Sequence, residues 1–135
     1  MSNFPLTIVT PDGCVFDGET NRVTVRTTDG EVTILGHHIN YVAAIGMGPA
    51  VINIDGENKK ACCIGGMLSM INNVCRVVAT SFEWQDAIDV ERAERALKRA
   101  EDALSKVDPS KKDEVAAFTA AKRRAMVRLS LAKSK

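Results

Sequence analysis

All nine glycines of this 135-residue chain fall at or before position 66, three of its four prolines fall at or before position 49, and beyond Trp84 the only such breaker is Pro109. Glycine accepts positive φ and proline presets the first residue of a turn, so a glycine- and proline-rich stretch reverses direction often. A stretch without them can run on as helix. The chain is therefore two kinds of structure in sequence order, with the change near Trp84.

In the first part the turn signals are Pro11-Asp12-Gly13, Asp17-Gly18, Asp29-Gly30, Gly46-Met47-Gly48-Pro49, Asp55-Gly56, Gly65-Gly66 and Asn72-Asn73. Between them lie runs rich in β-branched residues: 6–10, 20–27, 31–35, 51–54, 60–64 and 76–80. In Arg22-Val23-Thr24-Val25-Arg26 the valines alternate with polar residues, which predicts a strand with one buried and one wet face. Short strands between closely spaced turns predict an antiparallel β-sandwich or barrel and argue against a parallel sheet. Gly65-Gly66 reads as a bend or bulge between strands.

Past Trp84, Val90, Ala93, Leu97, Ala100 and Leu104 recur at steps of three and four, one apolar stripe on a helix. Asp89 is the natural N-cap, with Glu91 in the first turn at the positive end of the helix dipole. Around Val107-Asp108-Pro109-Ser110 the helix should stop and a second begin, with Asp108 capping and Pro109 at the first helical position. The second helix carries Val115, Phe118, Ala121, Ala125, Leu129 and Ala132 at helical spacing. The fold class is thus α+β in sequence order: a sandwich domain over residues 1–86, then an antiparallel two-helix hairpin over 87–135. The seams are rich in alanine and bury little, so the hairpin either simply packs on the sandwich or is a conditional element, docked in one state and redeployed in another.

Composition narrows the function. Lys and Arg number 5 against 9 Asp and Glu in residues 1–86, and 13 against 8 in residues 87–135, so a net charge of +1 hides two unlike halves. Weak overall charge and no aromatics interleaved with the basic residues argue against nucleic acid. No run of 18 apolar residues and no signal-like start is present, which predicts a soluble chain that stays where it is made. Cys14, Cys62, Cys63 and Cys75 lack zinc-site or disulfide-framework spacing and read as buried, reduced thiols. No nucleophile elbow, phosphate loop, zincin or dinucleotide motif is found, which argues against an enzyme and against a metal site. His37-His38 is either a titrating interface pair or a solvated one. Lys122-Arg123-Arg124 with Arg128 one turn on, across from Arg92, Arg95 and Arg99 on the first helix, is either a solvated basic face or a clamp for phosphate.

Taken in order, four stretches carry a resemblance: Val9-Thr10-Pro11-Asp12-Gly13 with Phe16-Asp17-Gly18; Thr27-Thr28-Asp29-Gly30-Glu31 through Leu35 to His38; Ile64-Gly65-Gly66-Met67-Leu68; and Ile88-Asp89-Val90-Glu91-Arg92-Ala93. The sequence resembles the epsilon subunit of F-type ATP synthases over essentially its whole length. The resemblance implies a sandwich of about ten strands followed by the hairpin. It implies a non-catalytic rotor subunit whose sandwich binds the gamma subunit and the c-ring. The helices lie folded, or extend along gamma among the alpha and beta subunits and hinder ATP hydrolysis. A bacterial complex, peripheral to the membrane on its cytoplasmic face, is the implied setting.

Some members of that family bind ATP on the folded hairpin through a motif Ile/Leu-Asp-x-x-Arg-Ala, matched here from Ile88 to Ala93, with arginines on the second helix completing the site. The resemblance assigns Ile88, Asp89 and Ala93 to the adenosine end and Arg92, Arg124 and Arg128 to the phosphates. ATP is then a regulatory ligand, and no cofactor is required. Glu31 and His38 carry over as c-ring interface residues. Here Leu35-Gly36-His37-His38 replaces the family's Leu-Pro-Gly-His, and the pair Cys62-Cys63 has no counterpart in the family pattern. Two other classes fit the same residues: a free-standing ATP-binding sensor, and a β-domain adaptor whose basic helices recognise an acidic partner.

Overall fold

The structure, a computed structural model, describes residues 2–134. It divides into two compact units, Met1–Gln85 and Asp86–Lys135. The first is all strand: β1 (Phe4–Thr10), β2 (Gly13–Thr20), β3 (Arg22–Thr27), β4 (Gly30–Leu35), β5 (Tyr41–Ala44), β6 (Met47–Ile54), β7 (Glu57–Ile71) and β8 (Val74–Trp84). The strands hydrogen-bond in the order β2-β1-β8-β7-β6-β3-β4, with β5 added to β7.

Among the described residues there are eight strands, not about ten, because the long ones do not break at the glycine pair. Gly65 and Gly66 take φ of +69° and +106°, which bends β7 while its pairing with β8 continues from Ala61↔Trp84 to Ile71↔Val74. Before the bend the other neighbour of β7 is β6, and after it β5, so one strand serves both layers of the sandwich. The all-antiparallel expectation also needs one correction. β1 and β8 run parallel, from Leu6↔Cys75 to Val9↔Val78. They begin and end the domain, so no tight hairpin dictates their direction.

The core follows the period-two pattern. Phe4, Leu6 and Ile8 of β1, Val23 and Val25 of β3, Leu68 and Met70 of β7, and Cys75 and Val77 of β8 are buried in one cluster. Full burial of one such side chain is worth about 1.5–3 kcal/mol. The hairpin turns use left-handed residues, as type I′ turns require: Asp55-Gly56 at +53° and +84°, and Asn72-Asn73 at +50° and +65°. Thr27 is buried before its turn because its hydroxyl donates to the Gly30 carbonyl (2.7 Å) and accepts from the Asp29 N–H (3.1 Å).

Each of the four cysteines is a reduced thiol. Cys62, Cys63 and Cys75 are buried as expected, but Cys14 is exposed, because it follows the tight Gly13 turn at the sheet edge. Burial pushes the Cys63 thiol up to about 12, with the neighbouring Cys62 adding to the effect, and burial alone does the same for Cys75.

Candidate functional site

The second unit holds α1 (Val90–Lys106) and α2 (Lys112–Lys133), which pack against one another across a short connection, an αα-hairpin. Asp89 is the N-cap of α1. Its φ and ψ are −82° and 100°, its carboxylate accepts from the Arg92 N–H at 3.0 Å, and its carbonyl accepts from the Ala93 N–H at 3.0 Å. Two backbone donors at the helix start thus go to one residue. Ala93 and Ala100 are buried on the stripe, and Leu97 and Leu104 are half-buried. Val90 departs from it: as the first helical residue it is 39% exposed.

The joint between the helices differs from expectation. Pro109 does not start α2. The Asp108 carboxylate instead accepts from the Ser110 N–H (3.0 Å) and hydroxyl (2.9 Å), and the Lys111 N–H closes onto the Asp108 carbonyl (2.9 Å). This four-residue turn places proline at its second position, where fixed φ suits a turn as well as it suits a helix start. The hydrogen bonds from Ser110 hold the exposed Asp108 carboxyl below the usual carboxylate range. Helix α2 begins only at Lys112, and its buried residues are Ala125, Leu129 and Leu131. Leu131 lies off the stripe read from spacing.

Of the hairpin candidates, Ile88 and Ala93 are buried, Asp89 and Arg92 are exposed, and Arg124 and Arg128 are half-buried. Arg124 and Arg128 are four residues apart and share a face of α2. Because the helices run in opposite directions from the joint, the start of α1 lies at the level of the second half of α2, which carries both arginines. The topology therefore gathers the two sequence-distant parts of the candidate site at one end of the hairpin.

The candidates on the sandwich are not gathered. Glu31, at the start of β4, is exposed and is the Cα partner of Arg26. His38 follows the other end of β4, half-buried, its ring edge-to-face with Tyr41 at 6.1 Å. In the turn before it His37 takes φ +60°, a left-handed conformation uncommon for a residue other than glycine. Two asparagines fix this loop, Asn73, which the sequence marks only as a turn residue, and Asn40, which it does not mark: Asn73 accepts from the His37 N–H at 2.8 Å, and Asn40 accepts from the Asn72 N–H at 3.0 Å. The Asn72-Asn73 pair signals a turn, but nothing in the sequence joins it to residue 37. Among the described residues no group of three His, Cys, Asp or Glu side chains is placed to hold a metal ion.

Two adjoining family models match this division: the ATP synthase delta/epsilon chain β-sandwich domain over residues 3–85, and the delta/epsilon chain long α-helix domain over residues 86–133. The chain belongs to the ATP synthase delta/epsilon family. It is 36% identical over 132 residues to the ATP synthase epsilon chain of Caldicellulosiruptor bescii, covering 98% of this chain and 95% of that one. With the epsilon chain of Alkaliphilus oremlandii it shares 37% over 104 residues, 77% of this chain and 78% of the relative. Among solved structures, a chain in the OSCP/F1/c-ring assembly of the Euglena gracilis mitochondrial ATP synthase superposes with a TM-score of 0.69 at 19% identity, over 98% of this chain and 79% of that one. A chain of the central stalk and c-ring of the Tetrahymena thermophila mitochondrial ATP synthase gives 0.63 at 19%, over 96% and 94%. At that identity the likeness is one of fold. The family assignment rests on the domain models and the two epsilon chains.

Proposed function

We propose that this chain is an epsilon-type rotor subunit of a bacterial F-type ATP synthase, a non-catalytic component of the central stalk. In this reading the sandwich binds gamma and the c-ring, and the hairpin controls ATP hydrolysis by extending toward the alpha and beta subunits. The observation that carries the reading is the match of both family domains, in order, across residues 3–133. In this reading, attachment to the cytoplasmic face of the membrane runs through the complex; among the described residues no helix is long and apolar enough to cross a membrane.

The hairpin is the regulatory part, and ATP is its ligand. Arg92 on α1 and Arg124 and Arg128 on α2 grip the phosphates, and the adenosine end lies at the start of α1, at the level of residues 88–93. ATP then favours the folded hairpin only by binding it more tightly than the extended form. Guanidinium–phosphate bonds are charge-assisted, each worth about 1.5–3 kcal/mol before solvent screening, so losing two should weaken binding about 30-fold or more. Calorimetric titration of the full chain with ATP tests this. The Arg124→Ala, Arg128→Ala double variant should lose most of the affinity, and an unchanged affinity would remove both arginines from the site.

A further inference from the structure

The segment Ile88-Asp89-Val90-Glu91-Arg92-Ala93 falls on the helix start in a definite register: Ile88 is the residue before the cap, Asp89 the cap, Arg92 the third and Ala93 the fourth helical residue. Each residue then has a structural task. The Asp89 carboxylate binds the Arg92 N–H and its carbonyl binds the Ala93 N–H, both at 3.0 Å. Ile88 and Ala93, exposed by only 8% and 4%, occupy the two positions that pack together in a hydrophobic staple, the contact that sets the angle at which a chain enters a helix. The other half of a capping box is missing, since position three is arginine where glutamate or glutamine would return a bond to the cap. The Arg92 side chain is therefore not used in starting the helix. It is exposed and left for other work.

We infer that Ile88, Asp89 and Ala93 form a helix-starting device, in which Asp89 is a positioning residue that fixes the first turn of α1 and thereby aims Arg92, rather than a ligand of the nucleotide. This rests on the ATP reading above and sharpens it. It divides the six hairpin residues into three arginines that touch the ligand and three residues that hold one of those arginines in place.

Hydrogen exchange and ATP titration on the full chain, with Asp89→Ala, Asp89→Asn and Asp89→Ser, separate the alternatives. Asparagine and serine cap about as well as aspartate, whereas alanine cannot. The inference predicts that Asp89→Ala raises exchange at the Arg92 and Ala93 amides about fivefold and weakens ATP by up to about the same factor. Asp89→Asn and Asp89→Ser should restore both to within about threefold of the parent. Loss of ATP affinity by more than about tenfold in Asp89→Asn, with the two amides still protected, would overturn the inference, since the carboxylate charge would then be felt by the ligand directly. Unchanged exchange in Asp89→Ala would also overturn it. If the parent chain itself bound no ATP at millimolar concentration, the nucleotide reading would fall, and the exchange data would still decide the helix-starting role.

Discussion

Gly66 is the position where a single methyl group should do most damage. A Cβ built there lies 1.9 Å from the Val78 carbonyl oxygen and 2.8 Å from Ala79 Cα, at φ +106°. Carbon and carbonyl oxygen normally approach no closer than about 3.3 Å, so Gly66→Ala must part β7 from β8 by more than about 1 Å where Gly66 pairs with Ala79. One or two ladder hydrogen bonds at about 1 kcal/mol each, with about 1–3 kcal/mol of backbone strain, give a loss of about 2–5 kcal/mol. For a domain of this size that lowers the melting midpoint by on the order of 10–30 °C. Gly65→Ala is the control one residue away. Its Cβ would meet the Thr80 hydroxyl at 2.9 Å, a side-chain end that can rotate, so about 1–2 kcal/mol of left-handed strain is expected. Urea unfolding followed by Trp84, the only tryptophan, reports on the sandwich, because its ring packs edge-to-face on Phe82 at 5.1 Å and on Phe16 at 6.5 Å. If the two variants unfold within 0.5 kcal/mol of each other (roughly the scatter of exposed substitutions), the backbone clash is not what keeps glycine at 66.

Three further predictions follow from burial. In the native protein a thiol reagent at pH 8 should modify Cys14 alone, and all four cysteines only after unfolding; fast labelling of a second thiol would contradict the packing around Cys62, Cys63 and Cys75. The Cys63 and Cys75 thiols, raised from 9.0 to about 12, stay protonated in the folded state where the unfolded chain has begun to lose those protons. Their contribution to stability is complete below about pH 9 and disappears as pH rises toward 12, a fall that Cys63→Ala with Cys75→Ala should flatten in pH-dependent unfolding. On α2, Leu131→Ala should destabilise the hairpin as much as Leu129→Ala, about 2–4 kcal/mol each, whereas Met126→Ala, at a 51% exposed position, should change it by less than about 1 kcal/mol; thermal unfolding followed by circular dichroism ranks the three.

What could be read from the sequence was whatever local chemistry decides. Val23 and Val25 alternate with polar residues and are buried, and Asp89 caps because its spacing to the apolar stripe leaves it no other place. Errors arose where one residue type serves two geometries. Gly65-Gly66 reads as a bend between two strands, and two positive φ values do bend the chain there, but within one strand whose pairing goes on. Asp108-Pro109 reads as a helix start, yet the Ser110 amide and hydroxyl claim the carboxylate first. β2 was missed because Gly13-Cys14-Val15-Phe16-Asp17-Gly18 shows no alternation, and it forms because β1 pairs with it from Phe4↔Thr20 to Thr10↔Gly13. Helical spacing found the arginines on each helix separately. Only the hairpin sets the level of one against the other, and only long-range pairing ties the His38 loop to Asn72 and Asn73.

The rotor assignment is tested most directly by recovering the tagged chain from membranes of the cells that make it and identifying what comes with it. A stable complex containing the gamma, alpha and beta chains and the c-ring is expected, in which gamma is the last to be released from this chain. Recovery of the chain alone, or with partners unrelated to an ATP synthase, would contradict it.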